Sequence, residues 1–399
     1  MSAKEPRQNS VRRRLLASFG LAFAVAVASA LASGCFGAPR YVGPPSEHFD
    51  GERFRNMAPF KEPSYWDVLA WKLSGPAAPE WPDWVDIPAA EPLPPRVSDG
   101  LRITYVNHAT VLVQLENLNI LTDPVWSDSV GPTSWLGPER HKAPGIPLEK
   151  LPKVDVVLIS HNHYDHLDVP TLERLAERDQ PLILAGLGTK ALLAEHGIER
   201  AEDLDWWQSR DVGGVRVTFA PAQHWSTRGL GDRNVNLWGS FFIRAPRQSV
   251  YFAGDTGRGP HFAAIRERLG SPTVALLPIG AYEPRWFMHP QHIDPAEAVE
   301  AHRVLGAERS VGIHFGTFDQ TDEGMEQPQR ELAEALRSQG VSPAAFVALE
   351  NGTSISVAAP EPKEPSPVPT VTPVQAQAKE AEREDIEATT TSEGTIGAD

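Results

Sequence analysis

The sequence predicts an α/β fold, two packed sheets with helices on their outer faces. Three observations carry this. Strand patterns dominate residues 100–356, and helical patterns are spaced between the later strands. VDVVLIS (Val154–Ser160) also holds a continuous apolar run, as a strand buried on both faces requires. Taken in order, LRITYVNHATVLVQL (101–115) and LNILTD (118–123) alternate apolar and polar residues across polar breaks, as antiparallel strands do. DVPTLERLAERD (168–179) has helical spacing, with Asp168 as its N-cap. Further strands are expected at VRVTFAP (215–221), LWGSFFIR (237–244), SVYFAGD (249–255), TVALLPIG (273–280) and SVGIHF (310–315). Helices are expected at PHFAAIRERLG (260–270), DPAEAVEAHRVLG (294–306) and QPQRELAEALRSQG (327–340).

Other zones flank this region. In residues 1–34, Arg12, Arg13 and Arg14 precede an apolar run from Leu15 to Ala32 that ends in small residues, the pattern of an export signal. The run closes on LASGC, which resembles a bacterial lipoprotein signal with Cys35 as the lipidated residue. An uncleaved apolar anchor is the alternative, since about 20 apolar residues span a bilayer. Either way the chain is expected to be exported and tethered to the membrane of a bacterial cell envelope. Residues 35–99 are rich in Pro and aromatics and read as an extended, lipid-anchored arm with one short helix at Tyr65–Leu73. Its Trp66, Trp71, Trp81 and Trp84 suit either a headgroup interface or packing of the arm onto the body. Residues 357–399 are rich in Pro, Glu and Thr and form an acidic tail expected to stay disordered.

Composition narrows the chemistry. The chain has 399 residues and a formal net charge of −15, which argues against a nucleic-acid partner. Cys35 is the single cysteine, so an internal disulfide and a cysteine-rich metal site are both excluded.

The stretch SHNHYDHLD (160–168) crowds metal-ligating side chains into one loop after a buried strand. Imidazole and carboxylate suit a borderline divalent cation such as zinc, with manganese or iron also fitting. The spacing HxHxDH lets His161 and His163 meet one metal while Asp165 and His166 meet a second. His224, Asp255 and His314 each follow an expected strand and would complete two sites, Asp255 being the natural bridge.

HxHxDH followed by His, Asp and His at strand ends resembles the metallo-β-lactamase fold superfamily, an αββα sandwich of two mixed sheets. The flanks NHATVLV, LTDPVWS, LDWW, PAQHWSTR, LWGSF, FAGDTG, PIGAYEPRWFM and IHFGTF are similar to the family of N-acylphosphatidylethanolamine-hydrolysing phospholipases D, over about residues 101–351. The resemblance implies a dinuclear hydrolase domain over 100–356. In it, His161, His163 and His224 would hold one cation, Asp165, His166 and His314 the other, and Asp255 with a hydroxide would bridge them. It also implies a substrate-contacting histidine at Gln291–His292, so that Asp165, Asp255 and His292 form the catalytic set.

The implied reaction is attack of that hydroxide on phosphorus of a membrane phospholipid, releasing an N-acylethanolamine and phosphatidic acid. His108 and Asp123 are candidates to orient ligands. Arg285 and Trp286, in a polar–aromatic loop with Gln291, are candidates for the lipid groove. The rivals are a metal-dependent lactonase or small-ester hydrolase of the same fold, and a non-enzymatic lipid-anchored binding protein. A β-lactamase that relies on a cysteine ligand is disfavoured, because Cys35 lies in the export signal.

Overall fold

The computed structural model describes residues 37–59, 63–74, 78–90 and 92–361. The export segment, Cys35 and the acidic tail from residue 362 lie outside the described residues. Among the described residues no helix is long and apolar enough to cross a membrane.

The sandwich is present. The first sheet has seven strands: β1 (Leu101–Asn107), β2 (Thr110–Leu115), β3 (Leu118–Thr122), β4 (Val156–Ile159), β5 (Leu182–Gly186), β6 (Ala201–Leu204) and the late strand β14 (Ser354–Val357). The second holds β7 (Ser209–Val212), β8 (Val215–Ala220), β9 (Ser240–Arg244), β10 (Ser249–Phe252), β11 (Val274–Pro278), β12 (Arg309–Ile313) and β13 (Phe346–Ala348). Both are mixed. β1–β3 pair antiparallel and β3–β6 parallel. In the second sheet β7–β10 pair antiparallel and β10–β13 parallel. The two halves therefore share one plan, an antiparallel ribbon leading into parallel crossovers. β14 then returns to close the free edge of β1, so Val357 belongs to a sheet and not to the tail.

Period-two alternation sorts β4 between two cores. Val156 and Leu158 pack into the cluster between the sheets, while Val157 and Ile159 face the outer cluster. That outer cluster is covered by α2 (Val169–Asp179) and α3 (Thr189–Glu195) through Leu172, Leu175, Leu192 and Leu193. α4 (His261–Leu269), α6 (Pro295–Leu305) and α7 (Gln327–Ser338) contribute Ile265, Val299 and Leu336 to the larger cluster, which also holds the second sheet. α6 begins with a full capping box between Asp294 and Glu297. α2 does not use its N-cap in that way. The Asp168 carboxylate makes no capping bond and instead accepts from Trp126 N, Ser127 N, Ser127 Oγ and Thr171 Oγ1, pinning the loop after β3.

The arm is less separate than its composition implied. α1 (Tyr65–Ser74) falls where the sequence placed a helix. Upstream of it, Phe49 and Phe54 are buried in the main core, their rings 4.5 Å apart. His48 stacks on Trp206 at 4.4 Å and contacts Asp205 Oδ1 at 2.7 Å, so LDWW serves as the dock for this stretch. Trp71 and Trp81 are half-buried against the body, whereas Trp66 and Trp84 are exposed. Phe54→Ala should cost about 3–5 kcal/mol, the usual toll of truncating a buried ring. Urea denaturation will show this as a lower midpoint with an unchanged slope.

Candidate metal centre

Every predicted ligand follows the C-terminal end of a strand, at one edge of the sandwich. Ser160 and the HxHxDH loop follow β4, His224 follows β8, Asp255 follows β10 and His314 follows β12. His108 and Asp123 follow β1 and β3. Rigid strands thus bring together residues far apart in sequence. The backbone is strained where it turns into the site. His108, Asp123 and His314 have φ of 48°, 30° and 62°, a region that costs a non-glycine residue energy and is frequent at functional sites. Gly254, at φ 59°, is required beside Asp255, because a Cβ there would stand 2.5 Å from the Ser160 Cβ.

Four overlapping ligand groups form among the described residues. His161, His163 and His224 make the first and His108, Asp165, His166 and His314 the second; the sets of Asp123 with His161 and His166, and of His224 with Asp255 and His292, overlap them. In the first, His161 Nε2 is 2.7 Å from His163 Nδ1, which is 3.4 Å from His224 Nε2. In the second, His166 Nε2 and His314 Nε2 are 3.2 Å apart and lie 3.3 and 3.4 Å from Asp165 Oδ2. Asp255 Oδ2 joins the groups, at 3.2 Å from His166 Nε2, 3.1 Å from His314 Nε2 and 3.8 Å from His224 Nε2.

The outer hydrogen bonds decide which nitrogens face inward. Asp123 Oδ2 accepts from His166 Nδ1 at 2.7 Å, and the Gln291 carbonyl accepts from His224 Nδ1 at 3.0 Å. Ser160 Oγ donates to Asp123 Oδ2 at 2.5 Å and so accepts from His161 Nδ1, 2.9 Å away. His161 and His224 therefore turn an Nε2 lone pair inward, and His166 turns its Nε2 to the same side. Burial pushes His163 and His224 down to about 3, and His161 well below the usual range, so this half is neutral. The other half demands positive charge. Burial opposes a proton on His314, yet Asp255 and Asp165 raise it to about 9 and hold His166 well above its ordinary value. Burial likewise opposes ionisation of Asp165 and Asp255, but the facing imidazoles hold both well below the carboxylate range.

The donor set fits divalent cations. Converging lone pairs and buried carboxylates need a shared cation, and Asp255 Oδ1, His163 Nε2, His314 Nδ1 and His292 Nδ1 are buried with no hydrogen-bond partner. His292 reaches the site, with Nδ1 3.9 Å from Asp255 Oδ2.

The groove residues need correction. Trp286 is exposed and does not line the cavity beside the ligands; Phe287 and Met288 do, together with Gln291 and His292. Arg285 is pinned behind that wall by Glu297 Oε2 at 2.7 Å and donates to the His292 carbonyl at 3.0 Å, so it buttresses His292. The sequence also hid contributors. Ser160, just past β4, links Asp123 to His161. Gln320 donates to Asp165 Oδ2 at 3.0 Å, alongside His108 Nε2 at 2.9 Å. Trp225 packs edge-on against His163, ring centroids 4.4 Å apart.

A profile of the Beta-lactamase superfamily domain matches residues 118–315. An N-acyl-phosphatidylethanolamine-hydrolyzing phospholipase D of Caenorhabditis elegans is 39% identical over 266 residues, 63% of this chain and 75% of that one. A mitochondrial protein of the same name from Saccharomyces cerevisiae is 34% identical over 289 residues, 65% of this chain and 62% of its own length. Among solved structures, an isothiocyanate hydrolase from Delia radicum gut bacteria superposes with a TM-score of 0.53 at 20% identity, over 65% of this chain and all (100%) of that one. At that identity it speaks for the fold alone.

Asp123→Asn should weaken metal binding at the His166 position about 10–100-fold while the fold persists, because it removes the carboxylate that fixes the His166 ring. Competition against a chromophoric chelator will measure it.

Proposed function

This chain belongs to the metallo-β-lactamase fold superfamily and is a metallo-hydrolase of that fold, and from this footing we propose that it is a dinuclear phosphodiesterase of membrane phospholipids. The substrate class is N-acylphosphatidylethanolamine, cleaved to N-acylethanolamine and phosphatidic acid. The observation that carries the reading is Asp255, a buried carboxylate whose Oδ2 is shared by both ligand groups while Oδ1 stays unpartnered. The names of the worm and yeast relatives supply the substrate, and the apolar wall of Trp225, Phe287 and Met288 beside the ligands suits its lipid chains.

Two divalent cations, zinc being the ordinary occupant of such a donor set, would supply Lewis acidity toward a phosphate oxygen and make water acidic enough to react near neutral pH. The residues do the rest. Asp255, held ionised, orients the attacking water and accepts its proton through Oδ1. The water oxygen bonds to phosphorus, the bond from phosphorus to the ethanolamide oxygen breaks, and the proton moves to that leaving oxygen. His292, which burial pushes down to about 3, stays neutral and can hydrogen-bond the phosphate group without adding charge. No covalent intermediate with the protein is required. Membrane tethering through Cys35 belongs to the same proposal, since it would confine the enzyme to the surface that holds its substrate.

The test is a panel of N-acylphosphatidylethanolamine, an acyl-homoserine lactone and a soluble phosphodiester. The lipid should be cleaved, chelation should abolish the activity, and preferential lactone cleavage would replace this reading. Asp255→Asn should lower kcat about 10²–10⁴-fold. Asp165→Asn should abolish turnover with the fold intact, and normal turnover with full metal content in that variant would sink the assignment.

A further inference from the structure

We propose that Asn56 is a positioning residue for the metal centre. Its side-chain amide holds both backbone groups of His224, so the arm fixes one ligand of the cation position made by His161, His163 and His224. The inference deepens the two-cation part of the reading above and rests on it for the binding step that is measured.

The need arises from where His224 stands. β8 ends at Ala220, paired with Ser240 of β9, and His224 lies beyond that end, outside the ladder. It is also buried, so its N–H and C=O require partners from the protein. Asn56 supplies both. Its Oδ1 accepts from His224 N at 3.0 Å, and its Nδ2 donates to the His224 carbonyl at 2.8 Å. A planar amide that gives one residue both an acceptor and a donor copies the edge of a neighbouring strand. The fully buried Trp238 indole, which can only donate, gives its Nε1–H to the same Oδ1 at 3.0 Å and so fixes which way the amide faces. The arm itself is seated just upstream, where Phe54 enters the main core and its N–H donates to the Asn234 carbonyl at 2.8 Å.

The residue before the ligand ties the arm to the second ligand strand. Gln223 N donates to Thr256 Oγ1 at 3.0 Å, and its carbonyl accepts from Gly257 N at 2.7 Å, which binds it to the turn after Asp255. Its side chain reaches the other way, Nε2 donating to the Ala58 carbonyl at 2.8 Å. Residues 56–58 of the arm and the 255–257 turn thus grip the His224 segment between them. The ring is held separately, by the Gln291 carbonyl at Nδ1. With the backbone set by Asn56 and Nδ1 by Gln291, Nε2 is left aimed at His163 Nδ1 and Asp255 Oδ2, at 3.4 and 3.8 Å. Ligands held in this way are preorganised for a cation.

Asn56→Leu removes both bonds at nearly constant volume. It should be compared, in the full chain, with the parent, with His48→Ala, which loosens the arm where it docks on Trp206, and with His224→Ala, which marks the binding step concerned. In the metal-free proteins the His224 amide should exchange its hydrogen about tenfold faster in Asn56→Leu, the scale of one lost hydrogen bond, and at the parent rate in His48→Ala. In zinc titrations against a chromophoric chelator, Asn56→Leu should weaken about 10–100-fold the same step that His224→Ala weakens, and spare the other. Asn56→Asp keeps the shape and the acceptor but has no N–H for the carbonyl, so it should keep the amide protected. Parent-like exchange and zinc affinity in an Asn56→Leu protein with native circular dichroism would overturn the proposal. So would an equal loss of both zinc steps, the same loss in His48→Ala, or exchange in Asn56→Asp as fast as in Asn56→Leu. If the parent binds fewer than two zinc ions, the two-cation reading fails, and exchange in the metal-free protein still decides the role of Asn56.

Discussion

Burying Asp165 and Asp255 within reach of the same two imidazoles is the constraint on which the rest of the molecule depends. Carboxylates in a water-poor pocket are tolerated only when paired with positive charge. Here the pairing comes from His166 and His314, at 3.1–3.4 Å from the two carboxylates. The demand for positive charge is concentrated on this side, while His161, His163 and His224 stay neutral. One pocket thus offers an acidic half and an imidazole half that share Asp255. That asymmetry comes from burial and donor type, with the Asp123 carboxylate adding to the positive charge favoured on His166.

The fold exists in the form that lets such a cluster be held. Strand ends from both sheets converge at one edge, so the pocket is spanned by elements that cannot move independently. The first sheet supplies the HxHxDH loop, His108 and Asp123, and the second supplies His224, Asp255 and His314. A direct link ties them: His314 N donates to the His108 carbonyl at 2.8 Å. Both residues have left-handed backbones, and the conformational cost at each is offset by the packed strands behind them. The hydrophobic core between the sheets thus acts on the chemistry by fixing ring orientation to within a hydrogen bond.

How much of this the sequence revealed follows from the range of each interaction. HxHxDH was legible because its ligands lie within one loop. His224, Asp255 and His314 were legible because each closes a recognisable apolar strand. β6 and β7 were not, since AEDL and SRDV are short and partly exposed and carry no apolar period. Gln320 was invisible for another reason. It reaches Asp165 across 155 residues, and nothing in FDQTD distinguishes that glutamine from a surface one. Trp286 misled in the opposite way. Its neighbours Phe287 and Met288 turn inward on the short helix α5 (Arg285–Met288), and helical geometry carries Trp286 to the solvent side. An aromatic loop could be read from the sequence, but not which of its residues faces the cavity.

The cavity's composition bears on what the cations would do besides chemistry. A phosphodiester is an anion, and this chain carries a net charge of −15. Among the described residues that line the cavity there is no Lys or Arg. Arg285, the nearest candidate by sequence, is consumed by Glu297 and Asp294. Arg228 is turned toward the carbonyls of Asn162 and Leu167. On the proposed phosphodiesterase reading, the positive charge that draws a phosphate inward would have to reside at the ligand cluster itself. A site built in this way would couple capture of an anionic substrate to metal occupancy, because one cation-centred charge would serve both binding and reaction. It also leaves the cavity wall free to be apolar, which is what a lipid chain requires of it.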